Sequence, residues 1–535
     1  MITDHYVLTA AQFDGLAAGY GTPDALAMLR QGQLAKRKIL LQGVLAAYPG
    51  PAVDLLLRAE EADAAVTGEV LRHPHVDAWA AQALRHGTAF GYLAQLAAAA
   101  AVRAGLSFAI DAPVSHGWAY LPGLGAVPAD GGTVTVTPAV LGADGWEPLR
   151  SVELEPGYAV AIEDLEPFRD TYHWRPAPRL DAAAFAHAAA LLRDAWQILT
   201  RRHPEHAAAM RVLLRSVVPL LRPESGASVS AASRQASGSV AVVITDTAEE
   251  LSLLLLHEFM HMKLDALRDL VDLHASGAAG RFLAPWRMDP RPVGPLFQGV
   301  YAHTGVTDYW RARRGEPDAP AVAELEFAYW RRQSAIAAES LAESGELTTE
   351  GERFVRGLRE TLGRWEREAV APDVADKADA MVLAQTVRWR LRNWRPSRTE
   401  LAEMTGAWQA GSTPVARKSG VLRTDADGEP SGMPGLVGLI RSSRVSTPET
   451  ADKAAAALLA GHPREACSAY TLRVTTGHPD DDSLIGWAVA AAAVDPDLAV
   501  ALRMRPDLAQ EALRSIRDTD QCDFLRCLGR SLRMI

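Results

Sequence analysis

The sequence predicts an α+β fold that is mainly helical, with a helix carrying an HExxH motif preceded by a strand, a small β-rich subdomain upstream and a helical C-terminal region. Three observations carry this. Long Ala-rich stretches follow helical spacing, and aromatic residues make up only 7% of the chain, which favours helices packed through small side chains. Between Leu106 and about Arg175 the text changes to short β-branched runs punctuated by Gly and Pro, such as GLSFAIDAP, GGTVTVTPAVL and SVELEPGYAVAIEDL, the pattern of strands and turns. Ser239–Asp246 (SVAVVITD) is a further β-branched run, and Thr247 followed by Glu250 has the spacing of a capping box that opens the apolar run LSLLLL.

Taken in order, residues 1–105 read as helices broken at Gly50-Pro51 and His73-Pro74. Residues 106–180 form the β-rich subdomain. Residues 181–400 are a helical catalytic region built around the HExxH helix. Gly411–Gly435, rich in Gly, Ser, Pro and Asp, reads as a linker. Residues 436–535 are short helices separated by HP, DPD and RPD breaks, without a repeat period. At 535 residues and 48% hydrophobic composition, the chain has room for two to four domains with cores of their own.

The HExxH motif is His257, Glu258 and His261. Residues four apart on an α-helix share a face one turn apart, so both imidazoles reach one metal ion. Leu251 and Leu253–Leu256 make the preceding turns apolar on nearly all sides, which marks a helix inside a domain, where two histidines and a glutamate need partners.

An HExxH helix supplies two ligands, and the third separates the possible chemistries. A metzincin would have Gly at position 264 and His at 267; both are Leu here, which excludes that class. A gluzincin-like peptidase would draw on Glu324, Glu326 or Glu339, each of which reads more simply as a solvated charge on an amphipathic helix. His274 reads as a surface residue near the helix end. His303, in FQGVYAHTGVTDYW, follows a Pro-rich turn in a new apolar segment able to cross the first helix, and is the expected third ligand. Between them PWRMDPRPVGP (Pro285–Pro295) holds Arg287, Asp289 and Arg291 in a proline-stiffened backbone. A guanidinium fixed in this way suits bidentate grip of a carboxylate, and an Arg/Asp pair that pins the loop is the plainer reading.

HEFMHMKL, PWRMDPRP, LFQGVYAHTGV and SGELTTEGERFVRGL, together with VLRHPHVDAWAAQALRHG and the N-terminal HYVLTAAQFDGLAAGYGTPDALAMLRQGQLAKRKILLQGVL, resemble the HExxH-motif domain proteins of ribosomal peptide natural-product clusters, described as 2-oxoglutarate-dependent peptide β-hydroxylases. The resemblance runs from about His5 to about Arg395. It implies a non-haem Fe(II) centre that uses 2-oxoglutarate and O2 to hydroxylate the β-carbon of a residue in a ribosomally synthesised precursor peptide, with a partner peptide-modifying enzyme as a second candidate partner. It makes His257 and His261 iron ligands, matches His303 to the third ligand, and matches Arg287 or Arg291 to the co-substrate carboxylate. Glu258 is then a ligand or a group that orients an imidazole. In the alternative, a zinc-dependent HExxH metallopeptidase, Glu258 is the general base for a Zn(II)-bound water. A non-catalytic peptide-binding protein is the second alternative.

Composition narrows the partners. A net charge of −10 argues against nucleic acid as a general partner. RWRLRNWRPSR (Arg388–Arg398) is a local basic exception and reads as the solvated end of an amphipathic helix. MITDHYVLTAAQF lacks the basic start and apolar core of a signal peptide, and Leu251–Leu256 is too short to span a bilayer. Cys467, Cys522 and Cys527 cannot all pair, which fits a reducing, cytoplasmic setting.

Overall fold

The computed structural model describes residues 6–142, 144–277, 280–417, 420–423, 435–444, 450–477, 480–516 and 520–534. The structure is 59% helical, with 21 helices and several small sheets among the described residues, the mainly helical α+β fold that the spacing predicts. It divides into two compact units, the first made of Met1–Ala275, Tyr301–Tyr309 and Leu347–Thr361, the second of Ser276–Val300, Trp310–Glu346 and Leu362–Ile535.

The first unit opens with helices α1 (Ala10–Ala17), α2 (Pro23–Ala47), α3 (Pro51–Ala62), α4 (Ala64–Leu71), α5 (Val76–His86) and α6 (Tyr92–Arg103). Their starts are written in the sequence. Thr9 and Gln12 form a reciprocal capping box, Thr22 caps α2 with Pro23 at its first turn, and Asp63 accepts the Ala65 and Val66 amides. In α6 the run Ala97–Ala101 is wholly buried, and its short side chains share a core with Trp79, Leu93 and Tyr120.

The strands follow: β1 (Ile110–Pro113), β2 (Trp118–Leu121), β3 (Gly125–Pro128), β4 (Thr133–Val136), β5 (Glu147–Pro148), β6 (Arg150–Glu155) and β7 (Tyr158–Ile162). The first five make two small sheets, ordered β1-β4 and β2-β3-β5. β6 and β7 leave them. After α7 (Ala182–Arg202) and α8 (Pro204–Leu213) come β8 (Ser216–Leu220), β9 (Ser230–Ala232) and β10 (Ser239–Val243), and β6 and β7 join these in one sheet ordered β6-β7-β8-β10-β9. β8 and β10 pair in parallel and are buried along their whole length, as expected of strands covered on both faces.

β10 leads into α9 (Ala248–Arg268), the HExxH helix. Thr247 caps it, its hydroxyl accepting the Glu250 amide at 3.3 Å. Leu251, Leu255, Leu256, Phe259, Met260, Leu264 and Leu267 are all buried on it, and each contributes roughly 1.5–3 kcal/mol. Lys263, equally buried, donates to the Gly19 and Tyr20 carbonyls at 2.6 and 2.9 Å and so ties α9 to the turn before α2.

α10 (Val293–Arg313) passes between the units in sequence, its residues Tyr301–Tyr309 belonging to the first. Gly305 lets it lie close against α9: a Cβ there would come within 2.7 Å of Met260 Cγ. Tyr309 adds a hydrogen bond of 2.9 Å to Ser252 on α9.

The second unit holds α11 (Val322–Ala342), the end of α12 (Thr349–Glu366), α13 (Pro372–Asn393), α14 (Arg398–Gln409), α15 (Leu436–Ser442), α16 (Lys453–Leu459), α17 (Pro463–Thr476), α18 (Asp481–Ala492), α19 (Pro496–Met504), α20 (Pro506–Ser515) and α21 (Gln521–Leu532). The prolines of the HP, DPD and RPD breaks stand in the first turns of α17, α19 and α20. The C-terminal helices share one core with α11 and α13, in which Leu325, Tyr329, Met381, Trp487, Leu502 and Phe524 are buried together. Of the expected linker, residues 418–419 and 424–434 lie outside the described residues; β12 (Val421–Leu422) pairs with β11 (Trp394–Arg395).

The SVAVVITD strand, β10, is flanked by β8 and β9 on its two sides, so it offers no free edge to an extended peptide. Two readings of the sequence are corrected. The arginine-rich end of α13 is not a solvated face: Trp389, Leu391 and Asn393 are buried, and Arg388 pairs with Asp482 at 2.9 Å. Glu326 is not a solvated charge either, being buried against Arg441 and accepting from Trp330 Nε1 at 3.0 Å. Among the described residues no helix is long and apolar enough to cross a membrane.

Candidate metal centre

His257 and His261 project from one face of α9 with their Nε2 atoms 3.2 Å apart. His303, which the local pattern could not connect to them, arrives on α10. Its ring centre lies 5.2 Å from that of His257, and the planes stand at 86°. His257 thus stands beside His261 on its own helix and beside His303 of α10, within the first unit. His303 is buried and its carbonyl accepts from Thr307 Oγ1 at 2.7 Å, which fixes the local turn. The His257 side chain keeps 23% of its surface exposed, leaving one side open to solvent. Burial, with the neighbouring His261 and His303 adding to it, holds the His257 pKa well below the usual histidine range, so the ring is neutral at neutral pH, the form that ligates metals.

Glu258 is engaged by the neighbouring strand rather than by the two histidines. It is buried, and its Oε1 accepts from Ser230 Oγ at 2.6 Å while its carboxylate also takes the Ala232 amide. Both donors belong to β9, the strand at one end of the sheet. Oε1 is 3.9 Å from His257 Nε2, beyond hydrogen-bonding reach. Burial raises the Glu258 pKa, against the pull of His261 and of the two hydrogen bonds.

Arg287 and Arg291 belong to the second unit. One carboxylate holds both: Arg287 Nε donates to Asp289 Oδ1 and an Arg291 guanidinium NH to Asp289 Oδ2, each at 2.8 Å. Burial works to raise the Asp289 pKa, but these two hydrogen bonds outweigh it and keep the carboxyl below the usual range. Arg291 also exchanges two backbone hydrogen bonds of 2.9 Å with Phe282, and Asn393 Nδ2 donates to the Met288 carbonyl at 2.8 Å. The proline-stiffened loop is thus pinned by its own charges. His274 is half-buried, shares a hydrogen bond of 3.0 Å with Arg268 and bridges to Leu347. Glu324 accepts the Ala371 amide at 3.1 Å.

A second buried group was not singled out as a site from the sequence. His73, His75 and Glu166 each offer a ligand atom within 4.8 Å of the others. His73 Nε2 bonds Glu163 Oε2 at 2.9 Å, the Tyr120 hydroxyl donates to the same oxygen at 3.0 Å, and the Tyr92 hydroxyl donates to Glu166 Oε2 at 2.8 Å. Burial pushes Glu166 up to about 7, with Glu163 adding to it against the pull of His73 and Tyr92. The signal available was HPH at 73–75, two imidazoles one residue apart. The carboxylates lie some ninety positions downstream, and nothing local connects them.

No family model matches the chain, and no curated protein does.

Proposed function

We propose that this protein is an Fe(II)- and 2-oxoglutarate-dependent dioxygenase that hydroxylates a β-carbon in a ribosomally synthesised precursor peptide, working in a reducing cytoplasm. The observation that supports the reading is the approach of His303 to His257, the partner of His261 on α9. In this reading His303 would be the third protein ligand of a facial three-ligand iron site, with one side of His257 left open. The donor set fits a divalent transition metal, since all three groups are imidazoles. Bound there, Fe(II) with 2-oxoglutarate and O2 would supply the oxidising equivalent for C–H hydroxylation.

The chain's own residues hold and shape that site. His257 and His261 of α9 and His303 of α10 would hold the metal, with the buried apolar residues of α9 fixing the helix that carries the first two.

Zn(II) suits three imidazoles equally, so Glu258 divides the two readings. A zinc peptidase uses this glutamate as the base for metal-bound water. Here its carboxylate is engaged by Ser230 and Ala232 on β9 and is buried, which favours a fixed structural group and hence the oxygenase. Metal analysis of anaerobically purified protein, combined with a 2-oxoglutarate turnover assay on candidate peptides, tests the proposal. Iron uptake with succinate release and a peptide mass gain of one oxygen is expected. Stoichiometric zinc, no 2-oxoglutarate consumption and a cleaved peptide would overturn it.

A further inference from the structure

We propose that His73, His75 and Glu166 form a second metal site, a buried structural centre for a divalent transition metal of the zinc class, independent of the HExxH histidines. All the residues involved lie in the first unit. His73 and His75 flank Pro74 at the start of α5, and Glu166 follows β7.

Both imidazoles leave their Nδ1 atoms buried without a hydrogen-bond partner. His73 Nε2 is engaged by Glu163 Oε2 and lies 3.1 Å from the Tyr120 hydroxyl. With the ring N–H on Nε2, donated to that carboxylate, Nδ1 carries a lone pair. That Nδ1 is buried and has no hydrogen-bond partner. It faces Glu166 Oε2 at 3.8 Å, too far for a hydrogen bond and close enough for two lone pairs to repel. His75 repeats the arrangement: its Nε2 meets the Tyr172 hydroxyl at 3.2 Å, and its Nδ1 is likewise buried and unpartnered. Buried polar atoms are rarely left so. Two ligand atoms each about 2.0–2.2 Å from a zinc ion lie roughly 3.5 Å apart in a tetrahedral site. The 3.8 Å gap is therefore close to what a shared ion requires.

Charge points the same way. Glu163 and Glu166 are both fully buried, and among the described residues neither is paired with a lysine or arginine. Their partners are tyrosine hydroxyls, backbone amides and imidazole. Two buried carboxylates without a cation are costly, and a divalent ion would neutralise them. The surroundings are those of a metal site rather than of a loose polar pocket. Metal-bound histidines commonly donate their other N–H to a carboxylate, as His73 does to Glu163, and Tyr92 and Tyr120 hold the two carboxylates in place. His73 also lines a cavity of about 390 Å³. Three protein ligands leave one coordination position for a small molecule such as water, and burial of all three keeps substrate from it, so the role is to staple α5 to the segment after β7.

The test uses the full-length protein with His257→Ala and His261→Ala combined, so that the HExxH site is removed. After chelation and dialysis, this variant is titrated with Zn(II) and with Co(II). The proposal expects one equivalent of Zn(II) retained, a rise in melting temperature on adding Zn(II), and a Co(II) visible spectrum of a nitrogen- and oxygen-ligated ion. Adding Glu166→Gln, which keeps the shape, should weaken binding at least about tenfold and abolish the thermal shift. A folded His257→Ala, His261→Ala protein that binds less than about a tenth of an equivalent and melts at the same temperature with and without Zn(II) would overturn the proposal. If the Glu166→Gln protein does not fold, the stoichiometry and Co(II) spectrum of the parent variant decide alone. Neither readout uses turnover, so the result stands apart from the fate of the hydroxylase reading.

Discussion

Replacing Glu258 by Gln separates oxygenase from hydrolase with little structural disturbance. The carboxylate accepts from Ser230 Oγ at 2.6 Å and from the Ala232 amide. A carboxamide of the same shape can turn its oxygen to Ala232 and its NH2 to Ser230, whose hydroxyl rotates to accept. Both contacts survive in neutral form. The cost is the difference between a charge-assisted and a neutral hydrogen bond, about 1 kcal/mol, or a melting temperature lowered by no more than about 3 °C. The effect on activity divides the two chemistries. Glu258 Oε1 stands 3.9 Å from His257 Nε2 and holds no imidazole by a hydrogen bond, so an oxygenase should keep its 2-oxoglutarate-dependent turnover to within about tenfold. A general base contributes roughly 10²–10⁴-fold, and a hydrolase would lose that. The assay is succinate release and peptide mass, with metal content and melting curve on the same preparation. A loss of turnover of a hundredfold or more, at full metal occupancy and an unchanged melting curve, would refute the reasoning and make Glu258 the base.

His303→Ala should lower metal occupancy of the HExxH site by at least about tenfold and activity with it; a variant that retains both, read by metal analysis after dialysis, would move the third ligand elsewhere. His203, buried and stacked on Tyr309 at 5.2 Å, has its pKa depressed by burial from 6.5 to about 4, so between those values the unfolded chain binds the extra proton. Stability therefore rises with pH across that window and is lost on acidification, by about 3 kcal/mol in all. His203→Phe should flatten this part of a urea-denaturation pH series, and an unchanged slope would contradict the assignment. Arg505 is wholly buried between Glu400, at 2.6 Å, and Asp507, at 2.9 Å. Arg505→Met strands two buried carboxylates and should cost about 3–5 kcal/mol in chemical denaturation, and a loss under about 1 kcal/mol would show that the network is solvated.

The sequence by itself determined what depends on neighbours in the chain. The cap at Thr247, the apolar faces of α9, the pairing of His257 with His261 and the proline-marked starts of the C-terminal helices all follow from side-chain types at fixed local spacing, because helix geometry places residues a turn apart whatever the rest of the molecule does. Tertiary structure decided the rest. β10 reads locally as a strand, but whether a strand is central or at an edge depends on partners such as Ser216–Leu220 and Ser230–Ala232 that no period reveals. Glu326 and Trp389 sit on patterns that read as solvated and are buried because other helices cover them. Arg287 and Arg291 were legible as a cationic pair, whereas their joint capture by Asp289 is a matter of loop geometry. The cluster of His73 and His75 with Glu163 and Glu166 exists only because the chain returns after about ninety residues to bury carboxylates against imidazoles. Spacing in sequence carries no information about such a meeting, and only the packed interior sets it.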